Sequence, residues 1–254
     1  MKRNKSSKGI IGIKVGTGVV TNGVGTGMID KFAIKDICRQ CVMLMNEGYQ
    51  VFIVTSGAVA SGGKEGRSKN LRSAVGQPRL MSVYSQYFFY LGVEVSQHLF
   101  TDRELLAKDN EVTKKTLLEA MKEGVVPIIN ANDSIDSFEL QKIRQCADND
   151  RLLALVSRLV GASMVIIGFA EDGFRDNKGK IIRVIRPWEV KEFLDYARGG
   201  SASGHGKNGM QTKLLALGGI AKQGIAAMLA PSKEKDFILR SVAGEKDFGT
   251  LFVR

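Results

Sequence analysis

The sequence predicts an α/β protein with a mainly parallel sheet covered by helices on both faces. Three observations carry this. Short runs dense in Val and Ile recur along the chain and end at Gly, Ser or Asn, as buried parallel strands do. Segments with helical apolar spacing lie between them and close β-α-β units. Polar clusters follow the strands rather than precede them, which is where ligands bind in such sheets.

The elements follow in order. "KGIIGIKVG" reads as the first strand and "YQVFIVTSG" as the second. Between them a helix runs from about Ile29 to Glu47 and is stopped by Gly48. A helix rich in aromatics spans about Pro78 to Leu91, followed by a strand near Val93 to Leu99 and a helix near Val112 to Glu123. "VVPII" is the next buried strand. A helix from about Asn149 to Val160 leads to the strand "SMVIIGF", and a helix from near Gly209 leads to "IAAMLA". No composition break divides the chain, so residues 1–254 are expected to form one domain, with residues 1–8 as a flexible basic tail. The doubled "VGTG" at Val15 and Val24 is too short to signal a repeat architecture.

Composition narrows the classes. The chain has 254 residues and 44% hydrophobic content, ordinary for a protein with a real core. No stretch reaches the roughly 18–20 apolar residues of a membrane span. The basic start "MKRNKSSKG" leads only into the short "IIGIKVG", a poor signal-peptide core, so a cytoplasmic protein is expected. Three cysteines, Cys38, Cys41 and Cys146, form no disulfide framework. Cys38 and Cys41 lie in a helical pattern without a second ligand pair, and read as packed residues rather than a zinc site. The net charge of +11 is scattered and accompanied by no nucleic-acid motif, so it points to an anionic small substrate or to solubility.

Candidate chemistry sits at the strand ends. Lys14 lies among Ile and Val near the end of the first strand, where an ammonium needs an anionic partner. Gly16, Thr17 and Gly18 follow it and allow close backbone approach to phosphate, although "GTGVVTNGVGTG" matches no standard nucleotide fingerprint. Ser56, Gly57 and Ala58 follow the second strand, and Asn130 to Ser134 a later one. Asp148, Asn149 and Asp150 precede a helix; a cap uses one side chain, which frees the others for a ligand. "GHGKNGMQTKLL" is a glycine-rich loop entering a helix, with Lys207 and Lys213 adding positive charge where a helix start already attracts phosphate. His205 has no evident catalytic partner.

In order and spacing, "GIKVGTGVVT", "TSGAVASG", "AVGQPRLMSVYSQYF", "PIINANDSI", "ADNDRLLALVSRLVGA" and "GKNGMQTKL" resemble the amino acid kinase family, and within it the branch that phosphorylates glutamate. The resemblance covers nearly the whole chain, to the ending "LRSVAGEKDFGTLFVR". It implies a three-layer αβα sandwich, ATP with Mg²⁺ as phosphoryl donor, and L-glutamate as acceptor in the first step of proline synthesis. It further implies feedback inhibition by proline and a homo-oligomer, dimer or tetramer. Nucleic acid and membrane are not expected partners.

By the same resemblance, Lys14, Asp150 and Lys213 carry catalysis. Lys14 holds the phosphates, Lys213 stabilises the transferring phosphoryl group, and Asp150 orients the two. Ser56, Gly57, Ala58, Asn130, Asp133, Asp148 and Asn149 bind glutamate. Gly16, Thr17, Gly18, Phe169, Ala170, Lys207, Asn208, Gly209, Met210, Gln211 and Thr212 join the lysines at the nucleotide. No residue is assigned as a metal ligand.

The chain departs from the family pattern in four places. Ala147 stands where Gly opens Gly-Asp-Asn-Asp. Ala131 stands for the Glu of Asn-Glu-Asn-Asp. Lys207 and Asn208 replace Thr and Gly in the glycine-rich loop. Gly168-Phe169-Ala170-Glu171 replaces the stretch with the Thr-Asp pair that contacts nucleotide. The chain also ends where many relatives continue into a small RNA-binding-like PUA domain. Two further readings accompany this one. One is a family member with a different acidic acceptor; the other is a non-catalytic nucleotide-binding regulator, against which the retention of Lys14, Asp150 and Lys213 argues.

Overall fold

The computed structural model of the chain describes residues 7–22, 27–63, 66–106, 110–135, 148–198 and 209–254. The strands are β1 (Ile10–Val15), β2 (Gln50–Thr55), β3 (Val95–Phe100), β4 (Val126–Ala131), β5 (Met164–Phe169), β6 (Val184–Ile185), β7 (Ala226–Pro231) and β8 (Thr250–Phe252). They form one sheet in the order β3-β4-β2-β1-β5-β7-β8-β6. Every pairing is parallel except β7 with β8.

Helices cover both faces. They are α1 (Thr17–Val20), α2 (Lys31–Asn46), α3 (Ala58–Ser61), α4 (Lys69–Tyr90), α5 (Asp102–Leu106), α6 (Glu111–Lys122), α7 (Asn149–Val160), α8 (Val190–Phe193), α9 (Gly209–Lys222) and α10 (Phe237–Val242). Two cores result. On one face, Leu117, Leu153, Val156, Leu214 and Leu217 from α6, α7 and α9 pack on Phe52, Val54, Val165 and Ile167. On the other, Ile34, Leu44, Leu80, Tyr84, Phe88 and Ile238 from α2, α4 and α10 pack on Ile11, Ile13, Ile53 and Ile166. Strand alternation divides the residues between these faces, and each large side chain fully buried contributes about 1.5–3 kcal/mol. The three layers are those expected of an αβα sandwich.

Local chemistry accounts for the boundaries. Asp30 caps α2 by accepting from the Ala33 N–H at 2.9 Å, and Gly48, with φ of 98°, ends it in the left-handed region. The first core strand admits Gly12 because the Phe52 ring occupies the space where a Cβ would sit.

One expected boundary is corrected. The aromatic helix starts at Lys69, not near Pro78, and Pro78 lies inside it. Ser68 supplies the cap, accepting from the Leu71 N–H at 3.2 Å. Pro78 removes the donor that the Ala74 carbonyl would receive, yet packing carries the helix through. Gly76 and Gly62 bring α3 and α4 into direct backbone contact, since a Cβ on Gly76 would collide with the Ala58 carbonyl and one on Gly62 with the Arg72 backbone. Cys38 and Cys41 are buried in α2, where burial pushes both thiols up, in line with packed and unreactive residues. Cys146 lies outside the described residues. Among those described, no helix is long and apolar enough to cross a membrane.

Candidate active site

The chain runs from β1 to β2 on one side and later returns to β5 on the other, so β1 stands at the point where the strand order reverses. That is the ligand-binding position of open α/β sheets. Lys14 lies here, one residue from the end of β1, paired in register with Val54 and Ile167. It is only 6% exposed.

Its anionic partner comes from the start of α7. Asp148 is the cap of that helix, its carboxylate accepting from the Asp150 N–H at 2.9 Å. Asn149 and Asp150 are thereby free for other work, as the three successive polar residues imply. The Asp150 carboxylate, 2% exposed, meets Lys14 Nζ at 2.8 Å through Oδ1 and Lys213 Nζ at 2.8 Å through Oδ2. Burial alone pushes this carboxyl up. The charges of Lys14 and Lys213, and the hydrogen bonds with them, outweigh burial and hold it below the usual carboxylate range.

Asn149 builds a second, uncharged network. Its Nδ2 donates to Ser56 Oγ at 2.8 Å, to the Thr55 carbonyl at 3.2 Å and to Asn130 Oδ1 at 3.1 Å. Asn130 is buried and donates in turn to Gln77 Oε1 of α4 at 3.1 Å. The ends of β2 and β4 are thus tied to the start of α7. Asn149 Oδ1 is buried with no hydrogen-bond partner among the described residues, an acceptor left for a donor from outside. Gly57 turns the chain from Ser56 into α3 at φ of 100°, where a Cβ would press on Val20. Ala58 begins α3 and is buried. Asp133 lies just past β4; its Oδ1 is 3.4 Å from Lys69 Nζ, and its carbonyl accepts from Asn70 Nδ2 at 2.8 Å.

The glycine segment after β1 is more ordered than a loop. Gly16 precedes α1, and a Cβ there would lie 3.7 Å from Lys14 Nζ. Thr17 and Gly18 form the first turn of α1, and Gly18 faces open space. On the other flank, Gly209, Met210, Gln211, Thr212 and Lys213 form the first turns of α9. Met210 packs on the core, and Gln211 Nε2 donates to the Leu194 carbonyl at 3.1 Å, so these two anchor the helix. Phe169 closes β5 half-buried against the same core, its carbonyl held by the Ser232 N–H and hydroxyl. Ala170 follows it, exposed. Lys207, Asn208 and His205 lie outside the described residues.

These elements enclose a cavity of about 300 Å³. Lys14, Asp150 and Lys213 form its charged wall; Ser56, Asp148, Asn149, Gly209 and Thr212 complete it. Among the described residues no group of three His, Cys, Asp or Glu side chains is placed to hold a metal ion. Such a cavity suits an anion that two ammonium groups neutralise, beside a small polar molecule read by amides.

Sequence reasoning missed Lys69, Asn70 and Gln77. The signal for the first two was Ser68, whose cap places the next residues on the first turn of a helix. Gln77 carried none, because its role depends on Asn130, which is distant in sequence.

Residues 10–230 match the family described as "Amino acid kinase family". A glutamate 5-kinase from Aliivibrio fischeri is 33% identical over 98% of this chain and 69% of its own length. One from Clostridium perfringens is 35% identical over 99% of this chain and 97% of its own. Among solved structures, a Giardia carbamate kinase superposes with a TM-score of 0.71 at 12% identity, covering 98% of this chain and all of that one. Carbamate kinase from Giardia lamblia bound to AMP-PNP gives 0.66 at 14% identity, over 97% and 98% of the two chains. At those identities the structures speak to the fold alone.

Proposed function

Because the chain belongs to the amino acid kinase family, we propose that it transfers the γ-phosphoryl group of ATP to the γ-carboxylate of L-glutamate. The product is L-glutamyl 5-phosphate, and the reaction opens proline synthesis. The observation that carries the reading is the Lys14–Asp150–Lys213 cluster sharing one cavity with Ser56 and Asn149, in a chain whose relatives are glutamate 5-kinases.

A carboxylate oxygen of glutamate attacks the γ-phosphorus, and the bond to the bridging oxygen of ADP breaks. The acceptor is already ionised near neutral pH, so no general base is needed. What the reaction needs is alignment and neutralisation of charge on the phosphoryl oxygens. Lys14 and Lys213 supply that charge, and Asp150 keeps the two like charges together when the site is empty. Ser56, Asn130 and Asn149 hold the acceptor, with Asp133 on its ammonium group.

Mg²⁺ fits this donor set as an ion that travels with the nucleotide. The Asp150 carboxylate is taken by two lysines, so the ion would be held mainly by phosphate oxygens, as is common for Mg²⁺ in kinases. It supplies further neutralisation of the phosphates. Proline inhibition, a homo-oligomeric assembly and a cytoplasmic location belong to the same reading.

The test is product detection. The protein is incubated with ATP, Mg²⁺ and a panel of acidic amino acids, and the acyl phosphate is trapped with hydroxylamine. Glutamate should give the hydroxamate. A hydroxamate formed from another acid alone reassigns the acceptor, and none from any acid rejects the activity.

A further inference from the structure

Asp133 does not stand alone at the acceptor end: Lys69 Nζ of α4 lies 3.4 Å from its Oδ1. That contact is long for a charge-assisted hydrogen bond, typically about 2.7–2.9 Å, and longer than the 2.8 Å ion pairs of Asp150. The Lys69 side chain is 42% exposed. A partly exposed pair of this kind contributes little energy of its own. The position of Asp133 is secured separately, because Asn70 Nδ2 donates to its carbonyl at 2.8 Å. The result is a cation and an anion side by side, on a segment whose backbone a third residue anchors.

An α-amino acid carries the mirror of that pair, an ammonium and a carboxylate on one carbon. We propose that Lys69 reads the α-carboxylate of the acceptor, while Asp133 takes its ammonium. The inserted zwitterion leaves both protein charges paired. The N-terminal end of α4, where Lys69 sits, is itself favourable to an anion. The acceptor then enters with its α end toward α4 and its γ-carboxylate toward Lys14 and Lys213. The inference rests on glutamate as acceptor and assigns a specificity residue that the sequence did not reveal.

The test compares L-glutamate with its α-amide (isoglutamine), which keeps the ammonium and the γ-carboxylate but loses the α charge. Wild-type protein should favour glutamate by roughly ten- to hundredfold in kcat/KM, the range of one charged hydrogen bond. Lys69→Met should raise the glutamate KM, leave the α-amide and ATP KM values and kcat in place, and so erase most of that preference. Lys69→Arg should keep it. Equal rises for both acceptors in Lys69→Met would mean that Lys69 only holds the loop, and would overturn the assignment; so would unchanged discrimination. Wild-type protein that makes no hydroxamate from glutamate fails the acceptor reading itself, a result distinct from either.

Discussion

Lys213 Nζ lies 2.8 Å from Asp150 Oδ2, while Lys14 holds the other oxygen of the same carboxylate at the same distance. One buried anion therefore sets the spacing of two cations that come from β1 and α9, elements about 200 residues apart in sequence. Like charges this close repel in a site of low dielectric, and Asp150 offsets that repulsion.

Lys213 should matter most in the transition state. Lys213→Ala is expected to lower kcat by roughly a hundred- to a thousandfold, with a smaller effect on the ATP KM, because its charge is needed as the phosphoryl group transfers. Circular dichroism should show the fold intact. Turnover at the wild-type level would remove the role.

Asp150 should carry stability as well as the proposed function. Asp150→Asn leaves two lysines without their shared anion, one of them almost fully buried. Unfolding in denaturant should show a loss of about 3–5 kcal/mol, the range for breaking a buried pair, together with loss of activity. The native pKa lies below the ordinary value of 3.8, so the contribution is complete above that value and disappears as pH falls through the depressed one. Wild-type stability should therefore drop more steeply below about pH 4 than that of Asp150→Asn. Parallel curves would show that the pair contributes no pH-dependent stability.

Asp133 should act on one substrate only. Asp133→Ala is expected to raise the glutamate KM by roughly ten- to hundredfold, the range for a charged hydrogen bond, and to leave the ATP KM near its wild-type value. Equal losses for both substrates would indicate a structural role for the loop after β4.

The nucleotide side departs from the family pattern at Phe169 and Ala170, which offer neither the hydroxyl nor the carboxylate of the Thr-Asp pair. GTP should support turnover within roughly tenfold of ATP, a gap of about 1.4 kcal/mol. Steady-state kinetics with both nucleotides measures this. A much larger preference for ATP would mean that another side chain reads the base. Glu171 is then the first place to look, because the Asp172 carboxylate already faces Arg175 at 3.3 Å.

The parts of the fold legible in the sequence were those with a strong period or a strong cap. The strands ending at Val15, Thr55 and Ala131, and the helix from Asn149 to Val160, lie where expected because Val and Ile density and the Asp148 cap are local signals. The beginning of α4 was not legible, since "SKNLRSAVG" has little apolar rhythm and Pro78 reads as a boundary. The four-residue helices α1 and α3 are too short to carry a period. Of the site, Lys14, Asp133, Asp150 and Lys213 were visible singly, whereas Lys69 was not. The pairing of Asp150 with both lysines, and of Asp133 with Lys69, exists only after long-range folding brings those residues together.

The backbone contact between α3 and α4 has a mechanical consequence. Gly62 and Gly76 leave no side-chain cushion between the two helices, so the short helix behind Ser56 rides on the long one as a bolted fitting. The long helix spans 22 residues, about 33 Å at 1.5 Å per residue. Lys69 is at one end, and the exposed Phe89 and Tyr90 are at the other. A small tilt of that rod would displace Lys69 and the Ser56 turn in concert, so under the acceptor placement proposed above one motion would act on both contacts.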